Sequence, residues 1–315
     1  MVRPHRFHPN PETVADNTFQ AHTPTHPAAE TARRARARAE VTTAAAQLEA
    51  AGVRVHLFDD LGGSHTPDSV FPNNWFSTQA GGHAAIYPMV AQNRRRERRS
   101  DVIDLLKAEY SVLDVIDFSG LEADGVYLEG TGAMVLDHIA RVAYTARSHR
   151  ADPVALERFC THFNYEPVVF ATADTQGRPC YHTNVVLCVG TAFAMGGFHM
   201  ITDGAGRDAV CARLHETGRD IIELTAHQIG EFAGNALELS GAQGRVLALS
   251  HRAAASLTPA QRGAIERSAR LLPLEVPTIE QAGGSVRCML AGVHLARRRD
   301  VAVSSNGHAA VTAEI

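Results

Sequence analysis

The sequence predicts one α/β domain made of five repeats that close into a ring. Five polar motifs each lead into an apolar run: Pro72-Asn73-Asn74-Trp75-Phe76, Leu128-Glu129-Gly130-Thr131-Gly132-Ala133-Met134, Tyr181-His182-Thr183-Asn184-Val185-Val186, Phe232-Ala233-Gly234-Asn235-Ala236-Leu237 and Gly283-Gly284-Ser285-Val286-Arg287-Cys288-Met289-Leu290. With Asn74, Thr131, Asn184, Asn235 and Cys288 as anchors, the separations are 57, 53, 51 and 53 residues, a near-constant period. A helix and then a strand precede each motif. A unit of this size cannot bury its own apolar face, so neighbours must pack on it, and five units closing on themselves make a ring. An open doubly wound sheet is the alternative, but no Gly-x-Gly-x-x-Gly lies between a strand and a helix to support it.

The elements follow in order. Residues 1–27, rich in Pro, His and Asn, read as a short strand near Val2 and then a loop. Ala, Arg, Glu and Leu from Ala28 to Ala51 predict a helix closed by Gly52, followed by a strand from Val53 to Phe58. A helix over 95–109 precedes a strand over 111–118, and Pro153 opens a helix to Phe163 before a strand over 167–171. Ala209 to Thr217, capped by Gly218, leads to a strand over 220–224. Thr258-Pro259 starts a helix to about Leu272, before a strand over 274–276. Further strands are expected over 84–87 and 193–196, and another from Met289 to Leu295. The domain spans 1–296, and 297–315 is expected to be a mobile tail.

Composition narrows the class. With 315 residues, 45% apolar and 6% aromatic, the chain reads as an ordinary soluble globular protein. A net charge of -4 argues against a general nucleic-acid binder. The basic runs at 94–99 and at Arg33, Arg34, Arg36 and Arg38 read as solvated helix faces. Five cysteines, odd in number and without CxxC spacing, form neither a disulfide framework nor a zinc ribbon. Reduced thiols and no N-terminal apolar segment point to the cytoplasm, and no run approaches the ~20 apolar residues of a membrane span. His5, His8, His22 and His26 fit no single helix face, so they read as surface histidines rather than metal ligands. Nothing calls for a metal or organic cofactor.

Cys288 stands apart from Cys160, Cys180, Cys188 and Cys211, which read as inert thiols. It follows a glycine pair that lets backbone approach a ligand, and it occupies a repeat anchor, so it is the candidate nucleophile. His182, also in a motif, is the candidate to hold or remove its proton and to protonate a leaving nitrogen. Glu129 lies between an apolar strand and a glycine with no helix expected after it. It reads as an acceptor for a nitrogen-rich substrate.

Leu128-Glu129-Gly130, His182-x-Asn184 and Gly283-Gly284-x-x-x-Cys288-Met289 resemble the Glu, His and Cys motifs of the guanidine-modifying superfamily, the five-bladed pseudo-symmetric α/β propellers of pentein fold. The resemblance runs from about Val2 to Leu295, with the motifs in the family's order. It implies Cys288 as nucleophile, His182 as general acid/base and Glu129 as substrate-nitrogen acceptor. Ala146-Arg147-Ser148 resembles the segment whose arginine binds the substrate carboxylate in arginine deiminase, which implies that role for Arg147, with a surface ion pair as the alternative. Superfamily members are often dimers, and the chain has no feature that decides this.

Departures from the pattern bear on substrate. Phe71-Pro72-Asn73-Asn74 stands where guanidine-binding relatives have Phe-x-Arg-Asp, Glu129-Gly130-Thr131-Gly132 where arginine deiminase has Glu-Gly-Gly-Asp, and His182-Thr183-Asn184 where it has His-x-Asp. Three carboxylates that would face a guanidinium are missing together. An asparagine amide can donate to a ureido oxygen and accept from its N–H, whereas a guanidinium offers only donors. Phe71, Asn73, Asn74 and Asn184 are thus expected to line a site for a ureido amino acid. The pattern most resembles citrulline-utilisation hydrolases of the CtlX type. The expected reaction is cysteine-dependent hydrolysis of L-citrulline to L-ornithine, ammonia and carbon dioxide. An arginine deiminase or dihydrolase, an amidinotransferase with an amine acceptor, and a non-catalytic binding module are the alternatives.

Overall fold

The computed structural model describes residues 1–21 and 26–298, and the described residues form a mixed α/β fold with five small sheets. The first sheet pairs β1 (Val2–Pro4) and β2 (Phe58–Asp60) in parallel, with helix α1 (Pro27–Ala50) between them in sequence. The second contains β3 (Phe76–Gln79) and β4 (His83–Ile86), followed by α2 (Gln92–Arg95), α3 (Ser100–Glu109) and β5 (Asp114–Asp117). After the one-turn α4 (Gly130–Ala133), the third sheet contains β6 (Met134–Asp137), β7 (Val142–Ala146) and, beyond α5 (Pro153–Phe163), β8 (Glu166–Phe170). The fourth contains β9 (Leu187–Val189) and β10 (Phe193–Gly196), then α6 (Gly204–Glu216) and β11 (Asp220–Glu223). Past α7 (Ala226–Gly230), the fifth comprises β12 (Leu237–Gly241), β13 (Gly244–Ser250), the helices α8 (His251–Ser256) and α9 (Pro259–Glu266), and β14 (Arg270–Leu274). The one-turn α10 (Val286–Met289) carries the thiol motif.

Each three-stranded sheet obeys one rule: an antiparallel hairpin first, then a third strand parallel to the second. A hairpin closes through a short turn, whereas a parallel partner needs a crossover of a dozen residues or so, usually helical. The crossover helices are locally specified. Asp152 accepts from Val154 N at 2.8 Å to start α5, Pro153 takes its first position, and Asn164 ends it at φ 55. Thr258 and Gln261 form a reciprocal capping box on α9. Leu156, Phe159 and Phe163 then bury one face of α5 beside Tyr87 and Met134.

Several expectations need correction. The basic run does not form one helix from 95. It is broken between α2 and α3, because Arg94, Arg95 and Arg98 turn inward to Glu97, to the carbonyls of Met89 and Val90, and to Glu122. Arg94 is fully buried, and Arg33 on α1 is buried too, so neither run is simply a solvated face. Val53 to Leu57 lies outside any ladder and pairing begins only at Phe58. Among the described residues the last strand is 270–274, because α9 ends at Glu266 and β14 registers Arg270 against Val246. α6 starts at Gly204, its first turn nucleated by the Asp203 cap despite Gly204 and Gly206. Among the described residues no strand follows the thiol: 290–296 lies outside any ladder, held by Thr78 Oγ1 donating to Gly292 O at 3.0 Å and accepting from His294 N at 2.8 Å. His22, and the expected tail beyond Arg298, lie outside the described residues. Among the described residues no helix is long and apolar enough to cross a membrane.

Candidate active site

The five motifs lie at the same point in their repeats, just before the first strand of a sheet or in place of it, and they touch one another in turn. Thr131 Oγ1 donates to Asn73 O at 3.3 Å, and Thr183 Oγ1 donates to Ala133 O at 2.5 Å. Asn235 Nδ2 donates to Asn184 O at 2.9 Å, and Arg287 N donates to Asn235 O at 3.3 Å. Gly284 returns against Phe71, where an added Cβ would lie 2.8 Å from the ring. These contacts make a circuit of motifs around one buried centre.

Cys288 sits on α10, buried, with its sulfur accepting from Asn184 Nδ2 and Asn235 Nδ2, both at 3.3 Å. Asn184 Oδ1 and Asn235 Oδ1 are buried and unpartnered. Each amide thus aims a donor at the sulfur and keeps an acceptor free. The positive-φ Gly283 (φ 82) carries the turn into α10, and Tyr181 Oη donates to its carbonyl at 2.6 Å.

His182 and Glu129 face each other, Nε2 to Oε2 at 2.9 Å, and both are buried. Arg150 Nη1 donates to the same Oε2 at 3.0 Å, and Arg94 Nη1 lies 3.8 Å from it. Burial alone would push the Glu129 carboxyl up, but Arg150, His182 and Arg94 together hold it well below the usual carboxylate range. Burial pushes His182 down to about 4, an effect that Glu129 offsets only in part. The pair is therefore an ionised carboxylate with a neutral imidazole, and with Nε2–H given to Glu129 the Nδ1 lone pair is the one available to a reacting proton.

The structure brings Cys288, His182, Glu129, Asn74, Asn184, Asn73 and Phe71 to this centre; His182, Asn74, Phe71 and Cys288 line one narrow pocket. Oriented with its oxygen toward Arg94, the Asn74 amide accepts from Nη1 at 2.8 Å and Nη2 at 3.1 Å and donates to Asn73 Oδ1 at 3.0 Å. One of its two N–H groups is thereby given to Asn73, and the amide donors that reach the sulfur are those of Asn184 and Asn235. Arg147 is not brought there. Its backbone N–H pairs with Phe170 O as β7 ends, and its side chain is exposed. After the turn 148–151 the buried Arg150 returns to the pocket in its place, held by Asp16 at 2.7 and 2.9 Å. Glu129 also departs from expectation, for the one-turn α4 does follow it.

Sequence reasoning missed Arg94, Arg150, Asp68 and Asn17, all of which line the pocket. Asp68 is buried, with Oδ2 accepting from Asn10 Nδ2 at 2.8 Å and Oδ1 unpartnered. None lies in a repeated motif; only the placement of Arg94 in a basic run beside Glu97 carried a signal, and charge runs usually mean surface. A larger cavity of about 600 Å³ lies beyond Phe19, with Met200, Ile229 and Phe232 in its walls, but Glu129, His182 and Cys288 do not line it.

A family model described as N,N dimethylarginine dimethylhydrolase, eukaryotic, matches residues 3–295. No curated protein matches the sequence significantly. Among solved structures, the N-terminal domain of ArgZ bound to product, an arginine dihydrolase from the ornithine–ammonia cycle in cyanobacteria, is similar at 15% identity and TM-score 0.68, covering 91% of this chain and 94% of that one. Unliganded AgrE is similar at 15% identity and TM-score 0.68, covering 93% of this chain but 39% of its own length. An adduct of a dimethylarginine dimethylaminohydrolase mutant with S-methyl-L-thiocitrulline is similar at 14% identity and TM-score 0.57, covering 91% and 96%.

Proposed function

As a member of the N,N-dimethylarginine dimethylhydrolase family, to which this chain belongs, it is, we propose, a cysteine-dependent C–N hydrolase of a ureido amino acid, best met by L-citrulline, with the five sheets acting as the blades of one propeller around Cys288. The observation that carries the substrate class is the amide pair at the sulfur. Asn184 and Asn235 each offer an N–H 3.3 Å from Sγ and a buried, unpartnered oxygen. A ureido group has one oxygen to accept and N–H groups to donate, so it satisfies both ends of an amide; a guanidinium, all donors, would set N–H against N–H. The carboxylate that would neutralise a guanidinium, Glu129, is already engaged by Arg150 and His182.

His182 takes the Cys288 thiol proton on Nδ1, the thiolate so formed attacks the ureido carbon, and charge builds on the carbonyl oxygen within reach of Asn184 and Asn235. The tetrahedral adduct collapses as the departing nitrogen takes a proton from His182, leaving a thiocarbamoyl group on Sγ. His182 then takes a proton from water, which attacks the same carbon and frees the thiolate. Loss of the second nitrogen gives ornithine, ammonia and carbon dioxide in total. The α-carboxylate has Arg94 and Arg150, the pocket's two cations, as partners. This replaces the role expected of Arg147.

A second reading, arginine dihydrolysis, is favoured by one observation. The unpartnered buried Oδ1 of Asp68 would suit a cation, and ArgZ, similar in fold, is an arginine dihydrolase. The two readings separate on kcat/KM for L-citrulline and L-arginine. The ureido reading expects citrulline to be preferred by at least about tenfold, since each mismatched buried polar contact costs about 1–3 kcal/mol. A preference for arginine would overturn it. Arg147→Ala should leave KM unchanged, whereas Arg150→Ala should raise it; the reverse would restore Arg147 to the site.

A further inference from the structure

Glu280, on the turn that leads into α10, is buried yet does not line the Cys288 pocket; it forms part of the wall of the larger cavity beyond Phe19. Burying a carboxylate is unfavourable unless it is paired and hydrogen-bonded. Among the described residues no close ion pair does this. Arg252 Nη1 stands 3.8 Å from Glu280 Oε2, and Arg252 is itself held to Glu231 by bonds of 2.7 and 2.8 Å. The near partners are hydroxyls. Ser285 Oγ donates to Glu280 Oε1 at 2.6 Å, a length typical of a hydroxyl on an ionised carboxylate, and Ser250 is a second hydroxyl partner.

Ser285 is buried and stands immediately before α10, where a serine ordinarily turns its hydroxyl oxygen back to accept a backbone N–H of the first turn. Here the hydroxyl makes no such bond and is given to Glu280 instead. The carbonyl of Ser285 accepts from Cys288 N at 3.0 Å and from Met289 N at 3.3 Å, so the residue that Glu280 holds also carries the backbone of the nucleophile. Glu280 grips the same turn from its other end, its carbonyl accepting from Gly283 N at 2.9 Å. Between them Gly284 is tightly packed: an added Cβ would lie 2.8 Å from the Phe71 ring and 3.2 Å from Cys288 Cβ. A displacement of Ser285 therefore passes to Cys288, whose sulfur has the amide donors of Asn184 and Asn235 at 3.3 Å.

We propose that Glu280 is a positioning residue for the reaction, acting through Ser285 to hold α10 where the Cys288 sulfur lies between those two amides. This rests on Cys288 being the nucleophile. A carboxylate suits the task because its ionised oxygens only accept, which leaves the serine hydroxyl one direction to point.

The test compares full-chain Ser285→Ala, Glu280→Ala, Glu280→Gln and the double alanine variant by kcat and KM for L-citrulline, by the rate of iodoacetamide alkylation of the peptide containing Cys288, and by urea unfolding. Ser285→Ala and Glu280→Ala should each lower kcat at least about tenfold with KM within about twofold, the scale of one lost charge-assisted hydrogen bond. Alkylation of Cys288 should slow by at least about threefold, because a sulfur moved off its amide donors is less readily a thiolate. The double variant should be no slower than the slower single, as for two partners of one contact. Glu280→Gln should keep kcat within about threefold of wild type, since its amide oxygen still accepts from Ser285. Alkylation needs no substrate, so a wild type that leaves citrulline untouched would count against the ureido reading while the alkylation rates still decide the role of Glu280. Unchanged kcat and alkylation in Ser285→Ala, even with lower stability, would overturn the proposal, as would single losses that multiply in the double variant. Ser285→Ala decides the matter if Glu280→Ala does not fold.

Discussion

The Cys288 sulfur lies between two amide donors, and that position sets what happens when its neighbours change. Cys288→Ala should fold and lose turnover by at least about a thousandfold. Asn235→Ala removes one donor to Sγ and the tie to Asn184 O, and kcat should fall about a hundredfold, the scale of a lost oxyanion donor. His182 has its pKa lowered from 6.5 to about 4 by burial, so the unfolded chain binds a proton between those values that the folded chain does not. Stability therefore rises with pH across that window and is lost as pH falls from 6.5 toward 4. The depressed carboxyl of Glu129 acts in the same direction at lower pH. Urea unfolding at pH 6.5 and pH 5 should show the wild type losing more stability than His182→Asn, and equal losses would mean that His182 is not held neutral.

One-turn elements do the positioning, and they were the least legible in the sequence. α4 and α10 are each four residues long, too short for hydrophobic periodicity to show. Glycines mark them through contact: a Cβ on Gly132 would fall 2.3 Å from the Asn74 side-chain amide and 2.8 Å from His182 Nδ1. Gly132→Ala should cost about 1–3 kcal/mol of stability, as overpacking does, and lower kcat by displacing His182. Normal kcat in a destabilised variant would show that the imidazole does not depend on this contact. Longer elements were readable where capping and periodicity agreed, as in α5, which begins at Pro153 and ends at Phe163. They misled where inward side chains broke the pattern, as at Arg94, whose guanidinium meets Glu97 instead of water.

At the scale of the molecule, the repeat spacing foretold which segments meet, because equal spacing places equivalent residues at equivalent points. It could not foretell Asp16, Asp68, Arg94 and Arg150, which reach the site from connections outside the repeated motifs. The sheets are also tied directly to one another. Arg219, just before β11, pairs with Asp137 at the end of β6, with contacts of 2.7 and 2.8 Å between two buried side chains. Asp137→Asn would leave that guanidinium buried without its counter-charge and should cost about 3–5 kcal/mol. An unchanged thermal midpoint would show that the pair contributes nothing net.

Covalent catalysis on a ureido carbon is tested most directly by mass spectrometry of acid-quenched enzyme turning over L-citrulline labelled with ¹³C at the ureido carbon. Whichever nitrogen leaves first, that carbon remains on Sγ, so the label should appear on the peptide containing Cys288 in the wild type and be absent from Cys288→Ala. Turnover of citrulline without label on that peptide, or citrulline turnover retained in Cys288→Ala, would contradict the assignment of this thiol as the nucleophile.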